Sequence, residues 1–235
     1  MIAGPSPEVL VLAAVVVGAF AQAATGMGFS LVAAPVLIAV HGQAEGVAVV
    51  VLLAACSSVV PLAREGRHAR LGEAARLLVP TLAATPVFAW VLASADRSLL
   101  AVAGGMGVVI GVVMLASGWR SAWLRRPAGT VATGLASAGL NVVGGVGGPP
   151  VGLWAANATW TPAQTRATLH AFLLVQNLTT ATVVGLVLPS WPALLALAGG
   201  TVLGLALAPR LSAATARTAI LLVSAIGGVA LLVGA

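Results

Sequence analysis

Two glycine-rich breaks interrupt apolar runs, and they are the segments best suited to bind a ligand. The first break spans Thr25–Gly28 and is followed by Ser30, and the second spans Gly144–Pro150 and ends in two prolines. Glycine lets the backbone turn and lets a ligand approach closely. The helix that restarts after each break directs free N–H groups and a partial positive charge at the break. Two such ends facing each other predict an anion site.

Polar side chains accompany the breaks. Gln22 and Asn141 precede them and are able to donate amide hydrogens to an oxyanion, although both are equally able to hold helices together. Arg166, His170 and Asn177 share one narrow stripe of a later helix, and polar residues in a membrane helix normally face its interior or a watery path. Arg166 could attract an anion or simply anchor the helix at the membrane surface. The predicted substrate-binding residues are Gln22, Thr25, Gly26, Gly28, Ser30, Asn141, Gly145, Gly147, Gly148, Pro149, His170 and Asn177.

The composition places these residues in a membrane. Six residues in ten are hydrophobic, 7% are charged, and the mean hydropathy is +1.10. A soluble chain of 235 residues could not bury so much apolar surface, whereas a bilayer accepts it. The apolar runs predict an all-α integral membrane protein of about eight helix-forming elements.

The charges exclude other classes of protein. All eleven cations are arginines, against five acidic residues, and they lie in short gaps between apolar runs. That placement indicates orientation signals and contact with anionic headgroups, not a nucleic-acid interface. Cys56 is the only cysteine, which excludes a disulfide framework and a cysteine-rich metal site. The sequence predicts no metal and no cofactor.

The two halves of the chain resemble each other at an offset of 119 residues. Gly26–Gly28 falls on Gly145–Gly147, Gln22 falls on Asn141, and the helical spans that follow coincide. We therefore expect two repeats, residues 1–126 and 127–235, each a glycine-broken helical hairpin followed by three transmembrane helices.

The arginines decide between two topologies. If each broken element is a hairpin that returns to its own side, ten of the eleven arginines share one face and only Arg97 lies opposite. If each broken element crosses once, the arginines split seven to four. The positive-inside rule favours the hairpins. Each half then crosses an odd number of times, so the second half is inverted and both termini lie outside.

The motifs resemble those of a known family. Pro35 lies seven residues after Gly28, and the second break reads Gly-Gly-Val-Gly-Gly-Pro over residues 144–149. Together with the duplication and the length, these features resemble the TauE/SafE sulfite-exporter family over nearly the whole chain. The resemblance implies a bacterial inner-membrane protein that moves small sulfur-containing anions, such as sulfite or organosulfonates, usually outward. The first break departs from the longer glycine run usual in the family, which bears on the substrate more than on the fold.

The resemblance and the breaks together predict a transporter that exports a small sulfur-containing anion by alternating access, driven by the membrane potential or a proton gradient. No acidic residue lies deep in a predicted span, and His170 is the only deep titratable group. A potential of about 100 mV, negative inside, favours anion exit by ~2.3 kcal/mol per charge. We expect no enzyme, and we expect the lipid bilayer and a small anion as partners.

Three alternatives stay open from the sequence. An anion channel needs the same polar path as a carrier, and a scaffold needs no substrate. An intramembrane hydrolase would use Ser30 and His170 as a nucleophile and base. These two residues do not match each other at the repeat offset, and a hydrolase would leave the second break unexplained. The identity of the anion and the oligomeric state, a homo-oligomer included, are also open.

Overall fold

The chain is built of α-helices. A computed structural model describes residues 6–94, 97–207 and 213–233, and within these residues it contains ten α-helices and two 3-10 turns, at Gly66–His68 and Ala122–Arg125. The α-helices are α1 Pro7–Thr25, α2 Phe29–His41, α3 Gln43–Glu65, α4 Leu71–Ala93, α5 Arg97–Ser117, α6 Pro127–Gly144, α7 Gly148–Ala156, α8 Pro162–Val184, α9 Trp191–Leu207 and α10 Ala213–Val233. The predicted all-α membrane architecture is confirmed. The prediction of about eight helix-forming elements counted each broken element once. The structure divides each of the two broken elements into two helices, α1 with α2 and α6 with α7.

Several helices have the length and composition of membrane spans. Among the described residues, α1, α3, α4 and α8 are long and apolar enough to cross a membrane, while α2, α9 and residues Val102–Ser117 of α5 are shorter apolar helices. A helix of 23 residues, such as α8, is about 34 Å long and exceeds a hydrocarbon layer of about 30 Å. Large apolar side chains, among them Trp90, Leu195 and Ile226, are exposed on the outer surface, as lipid contact requires.

Local sequence signals place the helix ends. Pro7, Pro127 and Pro162 occupy the first position of α1, α6 and α8, where a missing N–H costs no hydrogen bond. At the other end, Gly26 and Gly145 terminate α1 and α6 with φ angles of 88° and 68°. This left-handed conformation is readily adopted only by glycine, so both breaks begin with the same stop signal.

The helix boundaries repeat with the offset seen in the sequence. Helices α3 and α8 begin and end 119 residues apart, α1 and α6 end 119 residues apart, and α2 and α7 begin 119 residues apart. The order of five helices in the first half is therefore the order of five helices in the second.

Each glycine break turns the chain back along the helix before it. In the second half, the Ser137 hydroxyl donates to the Gly147 carbonyl at 2.6 Å, and Trp154 Nε1 donates to Thr130 Oγ1 at 3.1 Å. Helix α7 therefore runs back towards the start of α6. In the first half, a Cβ on Gly18 of α1 would lie 2.9 Å from the Phe29 carbonyl oxygen at the start of α2. Both broken elements are hairpins, as predicted.

Matched helices of the two halves pack against each other in opposite directions. The last residue of α3, Glu65, forms an ion pair with Arg166 in the second turn of α8, so these two helices are antiparallel at the centre of the bundle. Helix α5 is antiparallel to α10, because Gly105 lies beside Leu232 and Gly228 lies beside Val108. Helix α1 packs on α9, and α6, the counterpart of α1, packs on α4, the counterpart of α9. These two contacts are therefore equivalent when the halves are exchanged.

Arginines gather at one end of the bundle, which we term the arginine end and define by residues 64–76, 120–126 and 162–166. Three contacts bring these segments together: Arg166 with Glu65, Arg125 with Glu73, and the Arg70 N–H with the Thr168 hydroxyl. Helix α1 ends near this end, because Gly26 lies against Arg166, and it therefore begins at the opposite end. Arg210 and the side chains of Arg97 and Arg217 lie outside the described residues.

Candidate functional site

A cavity at mid-height of the bundle is formed where the two breaks meet. The space in it that is open to a water-sized sphere is about 20 Å³. A Cβ on Gly148 would lie 3.9 Å from the Met27 Cβ, so the first break contacts the helix that follows the second. Leu173, the middle residue of α8, lines the cavity and places it halfway along a helix of membrane-spanning length. The lining residues are Gln22, Met27, Gly28, Ser30, Leu31, Asn141, Gly145, Val146, Gly147, Gly148, Pro149, Leu173 and Asn177.

Gln22 fastens the first break to α3. The Gln22 side chain is buried, and its Oε1 accepts the Phe29 N–H at 3.3 Å, which satisfies a free donor at the start of α2. Its Nε2 donates to Ser58 Oγ at 2.8 Å and to the Ala54 carbonyl at 3.3 Å. One carboxamide thus connects α1, α2 and α3.

Asn141 does the same in the second half. Its Oδ1 accepts the Gly147 N–H at 3.1 Å, just before α7 begins. Its Nδ2 donates to Asn177 Oδ1 at 3.1 Å and to Thr180 Oγ1 at 2.8 Å, both on α8. The carboxamides that match at the repeat offset therefore have matching contacts, one set for each break.

These contacts change the role expected of the two carboxamides. Both hydrogens of the Gln22 amide and both hydrogens of the Asn141 amide already point at protein acceptors. In this structure the two side chains hold the breaks in place and do not direct those hydrogens into the cavity.

Other donors face the cavity. Asn177 is 2% exposed and lines the cavity, and its Nδ2 donates to no residue that the structure describes. Ser30 also lines the cavity, and its hydroxyl makes no hydrogen bond to a described residue. The N–H groups of Ser30 and Leu31 precede the first backbone bond of α2, from the Val32 N–H to the Gly28 carbonyl. The start of α2 and the Asn177 amide thus form a set of hydrogen-bond donors.

The two helix starts contribute unequally. In α7, Pro149 and Pro150 follow Gly148 and carry no N–H. Gly148 is therefore the one residue of the first turn of α7 whose N–H is open, whereas α2 offers those of Ser30 and Leu31. The sequence prediction treated the two ends as equivalent, and the double proline makes them different.

The cavity gathers nine of the twelve predicted site residues and leaves out Thr25, Gly26 and His170. The Thr25 hydroxyl has one hydrogen to donate and lies within hydrogen-bond distance of two carbonyls, that of Ala21 at 2.9 Å and that of Met27 at 2.6 Å. Gly26 packs against Arg166, and His170 is buried with neither ring nitrogen bonded to a described residue.

Four apolar wall residues were not predicted: Met27, Leu31, Val146 and Leu173. Leu173 lies four residues before Asn177, one helical turn away, so the polar stripe on this helix already indicated its position. Met27 and Val146 lie inside the breaks themselves. Their apolar side chains gave no signal of a binding role.

Arg166, which the sequence offered as a group that could attract an anion, forms an ion pair with Glu65. The guanidinium forms two bonds with this carboxylate, Nε to Oε2 at 3.1 Å and Nη2 to Oε1 at 2.8 Å. Such a bidentate pair fixes the geometry of both side chains. The charge of Arg166 is therefore directed at α3, and Arg166 does not line the cavity.

The cavity wall carries no ionisable side chain among the described residues. The positive potential at the cavity comes from backbone N–H groups and helix ends. No described hydrogen bond joins Ser30 to His170, which a nucleophile and its base require. The geometry thus offers polar binding groups and lacks the contact of a hydrolytic dyad.

A second cluster closes the arginine end of the second hairpin. The Arg125 guanidinium carbon lies 3.7 Å from the Trp154 ring centre and 5.0 Å from that of Trp160, and Nη2 donates to Glu73 at 2.8 Å. Burial lowers the pKa of the Arg125 guanidinium, and the Glu73 carboxylate opposes that change. Trp154 and Trp160 thus pack on one cation at the junction of the halves.

The fold and the site have a counterpart among known families. A family model described as sulfite exporter TauE/SafE matches residues 10–235, which include both breaks. Comparison with curated proteins and with solved structures gave no match. The match covers essentially the whole chain and confirms the resemblance carried by the two glycine motifs. The chain therefore belongs to the TauE/SafE sulfite exporter family.

Proposed function

We propose that this protein exports a small sulfur-containing oxyanion across a bacterial inner membrane, and that the anion binds in the cavity between the two breaks. The observation that carries the proposal is the meeting of two helix starts, one from each half, around a cavity at mid-height of the bundle. Irregular backbone at such a depth persists where it is buried in protein or lines a polar path. Transporters commonly place their substrate sites at broken helices of this kind.

An anion suits the chemistry of the wall. The open groups named above are N–H and O–H donors: the Asn177 amide, the Ser30 hydroxyl and the first-turn N–H groups of α2. Donors at a helix start bind anions without a cationic side chain, because the helix dipole and the free N–H groups act together. In a site with little water, each of these hydrogen bonds is stronger than in bulk solvent.

Alternating access follows from treating residues 1–126 and 127–235 as inverted repeats. The matched helices α3 and α8 run in opposite directions, as do α5 and α10. If the two halves exchange conformations, a cavity open to one end becomes a cavity open to the other. The Glu65–Arg166 pair joins α3 to α8 at the arginine end, so it has to separate when the cavity opens there.

The orientation of the protein in the membrane determines whether the membrane potential favours export of the anion. The positive-inside rule puts the arginine end in the cytoplasm and both termini outside. A membrane potential of about 100 mV, negative inside, favours the exit of a monovalent anion by ~2.3 kcal/mol. Since about 1.4 kcal/mol corresponds to a tenfold ratio, that potential sustains a gradient of more than tenfold. Export by this route needs no carboxylate inside the membrane.

The test is flux of radiolabelled sulfite in proteoliposomes with an imposed potassium diffusion potential. We expect saturable uptake that accelerates when unlabelled sulfite is present on the opposite side, and a rate that changes with the sign of the potential. Asn177→Ser should reduce the flux, whereas Thr179→Ser should not, because the Thr179 hydroxyl is bonded to its own helix on the exposed face. Flux no greater than in protein-free liposomes contradicts the proposal, and single-channel current steps indicate a pore instead of a carrier.

A further inference from the structure

The carboxamide oxygens on the cavity wall are already occupied. Gln22 Oε1 accepts the Phe29 N–H, and Asn141 Oδ1 accepts the Gly147 N–H. Asn177 Oδ1 accepts from the Asn141 amide. The wall therefore keeps the acceptor end of each of its three carboxamides turned towards the protein.

Three backbone carbonyls at the breaks are satisfied in the same way. The Met27 carbonyl accepts from the Thr25 hydroxyl at 2.6 Å, and the Gly28 carbonyl accepts the Val32 N–H at 3.3 Å. The Gly147 carbonyl accepts from Ser137 Oγ at 2.6 Å, and that hydroxyl in turn accepts from Gln176 Nε2 at 2.8 Å. Two side-chain hydroxyls, from Thr25 and Ser137, thus occupy carbonyls of the two breaks.

The side-chain and helix-start groups left open at the wall are donors, with one exception. Asn177 Nδ2 and the N–H groups of Leu31 and Gly148 donate only. The exception is the Ser30 hydroxyl, which is able to donate or to accept. A ligand oxygen that carries a hydrogen therefore meets one side chain that is able to receive it.

We propose that this cavity selects anions by their protonation state. It binds oxyanions whose oxygens are all bare and rejects those that carry an O–H, and Asn177 and Ser30 determine this specificity. The inference rests on the proposed function, because it assigns a selection rule to the same site. When an O–H of the ligand faces an N–H donor of the wall, both groups are buried without a partner. The expected loss of affinity is on the order of tenfold to a hundredfold.

The rule separates chemical classes of similar size. A sulfonate has no O–H at any physiological pH, whereas hydrogen phosphate and a phosphonate monoanion each keep one. Sulfite is expected to bind as the dianion and not as hydrogen sulfite. Sites that require a specific hydrogen-bond pattern discriminate in this manner, since a mismatched group leaves its partner unsatisfied.

Methanesulfonate and methylphosphonate form a matched pair of probes. Below the second ionisation of methylphosphonate, both are monoanions with a methyl group and three oxygens, and they differ by one hydrogen. Binding is measured by calorimetry on the purified full-length protein. We expect methanesulfonate to bind about tenfold to a hundredfold tighter at that pH. Above the second ionisation the gap should close, because the phosphonate dianion has three bare oxygens, while the affinity for methanesulfonate stays constant.

Two variants assign the rule to residues. Asn177→Ser removes the open donor and keeps a hydroxyl for Asn141, as Ser58 serves Gln22 in the first half, so methanesulfonate should bind more weakly. Ser30→Ala removes the hydroxyl that is able to accept, so the preference for sulfonate over the phosphonate monoanion should widen. Ser57→Ala is the matched control, because its buried hydroxyl donates to the Ala54 carbonyl at 2.8 Å and does not line the cavity.

Each outcome bears on a different claim. Equal affinity for the two monoanions overturns the selection rule and leaves the proposed function standing. No binding of either probe overturns the selection rule, and the sulfite flux measured on the same protein then decides whether the proposed function stands. A preference that Ser30→Ala leaves unchanged overturns the role of Ser30. Loss of binding in the Ser57→Ala control, with its melting temperature unchanged, overturns the assignment of the site to this cavity.

Discussion

At the scale of single residues, the two carboxamides are the side chains on which the breaks depend. Each accepts the N–H at the restart of a helix and donates both amide hydrogens to the following long helix. Their positions were predictable, since Gln22 and Asn141 match at the repeat offset. Their contacts were not, because the acceptors lie more than 30 residues away along the chain, at Ser58 and Thr180.

Asn141→Leu tests whether this residue holds the break or binds the anion directly. Leucine has a similar volume and leaves the Gly147 N–H and the Thr180 hydroxyl without their partner. Each buried group left unpaired costs about 1–3 kcal/mol, so the unliganded variant should melt at a lower temperature than the wild type. Asn177→Ser should change the melting temperature much less. A variant that melts like the wild type but does not bind anions would restore the direct role for Asn141.

At the scale of helices, each hairpin depends on a stop signal, a turn and a restart. The sequence showed the stop and the restart as glycines and prolines, so the helix ends agree with the prediction to within one residue at the first break and within three residues at the second. The unequal supply of donors follows from Pro149 and Pro150 and could also have been predicted, since proline lacks an N–H.

Gly145→Ala tests the stop of α6. Gly145 has a φ of 68°, and an added Cβ would overlap the Val50 side chain of α3. The left-handed backbone alone costs roughly 1–2 kcal/mol for a residue with a Cβ, and the overlap adds to it. We expect a clear loss of thermal stability, and Val50→Ala in the same chain should recover part of it.

The control for this change is Gly199→Ala in the middle of α9, where a Cβ meets nothing within 4 Å. Alanine should leave stability unchanged or raise it by up to about 1 kcal/mol, because it favours a helix more than glycine does. If both glycines respond alike, the conformation of Gly145 is not the cause.

At the scale of the whole molecule, two antiparallel helices at the centre connect the halves. Helices α3 and α8 are joined at the arginine end by Glu65 and Arg166, whose side chains are 31% exposed. A partly exposed pair of this kind contributes only about 0–1 kcal/mol to folding. We therefore expect the pair to act mainly on the conformational equilibrium of the proposed alternating-access cycle.

Arg166→Gln should open the arginine end without destabilising the fold. In a Cys56→Ala chain that carries Ser30→Cys, an impermeant thiol reagent added to inside-out vesicles should label the cavity faster in the Arg166→Gln variant. Glu65→Arg combined with Arg166→Glu should return labelling to the original rate. Unchanged labelling with unchanged melting would show that the pair does not gate the cavity.

The topology is testable with the same single-thiol approach. Ser6 and His68 are both exposed, at opposite ends of the bundle. In a Cys56→Ala chain, Ser6→Cys should be labelled by an impermeant maleimide added to intact spheroplasts, and His68→Cys should be labelled only after permeabilisation. The reverse pattern would invert the proposed orientation and turn the same potential against export.

The limits of prediction follow from how far apart the partners lie in sequence. The spans, breaks, hairpins and arginine distribution are local patterns and could be predicted. The Arg125 cluster with Trp154 and Trp160 could not, because these residues are brought together by the return of the hairpin, and tryptophan near a segment end usually indicates an interfacial position. Thr25, Gly26 and His170 do not line the cavity, although they lie close in sequence to residues that do, because neighbours on a helix point to different sides.

The arginines break a symmetry that the helix packing leaves intact. The connection at residues 64–70 carries three arginines, and the segment 119 residues later, residues 183–189, carries no charge at all. Since matched helices run in opposite directions, turning the protein over leaves a nearly equivalent arrangement of helices in the lipid. If the halves are inverted repeats, as we propose, charge alone sets which way up the chain is inserted, and a relative with its arginines moved to the matching loops would have the same architecture facing the other compartment.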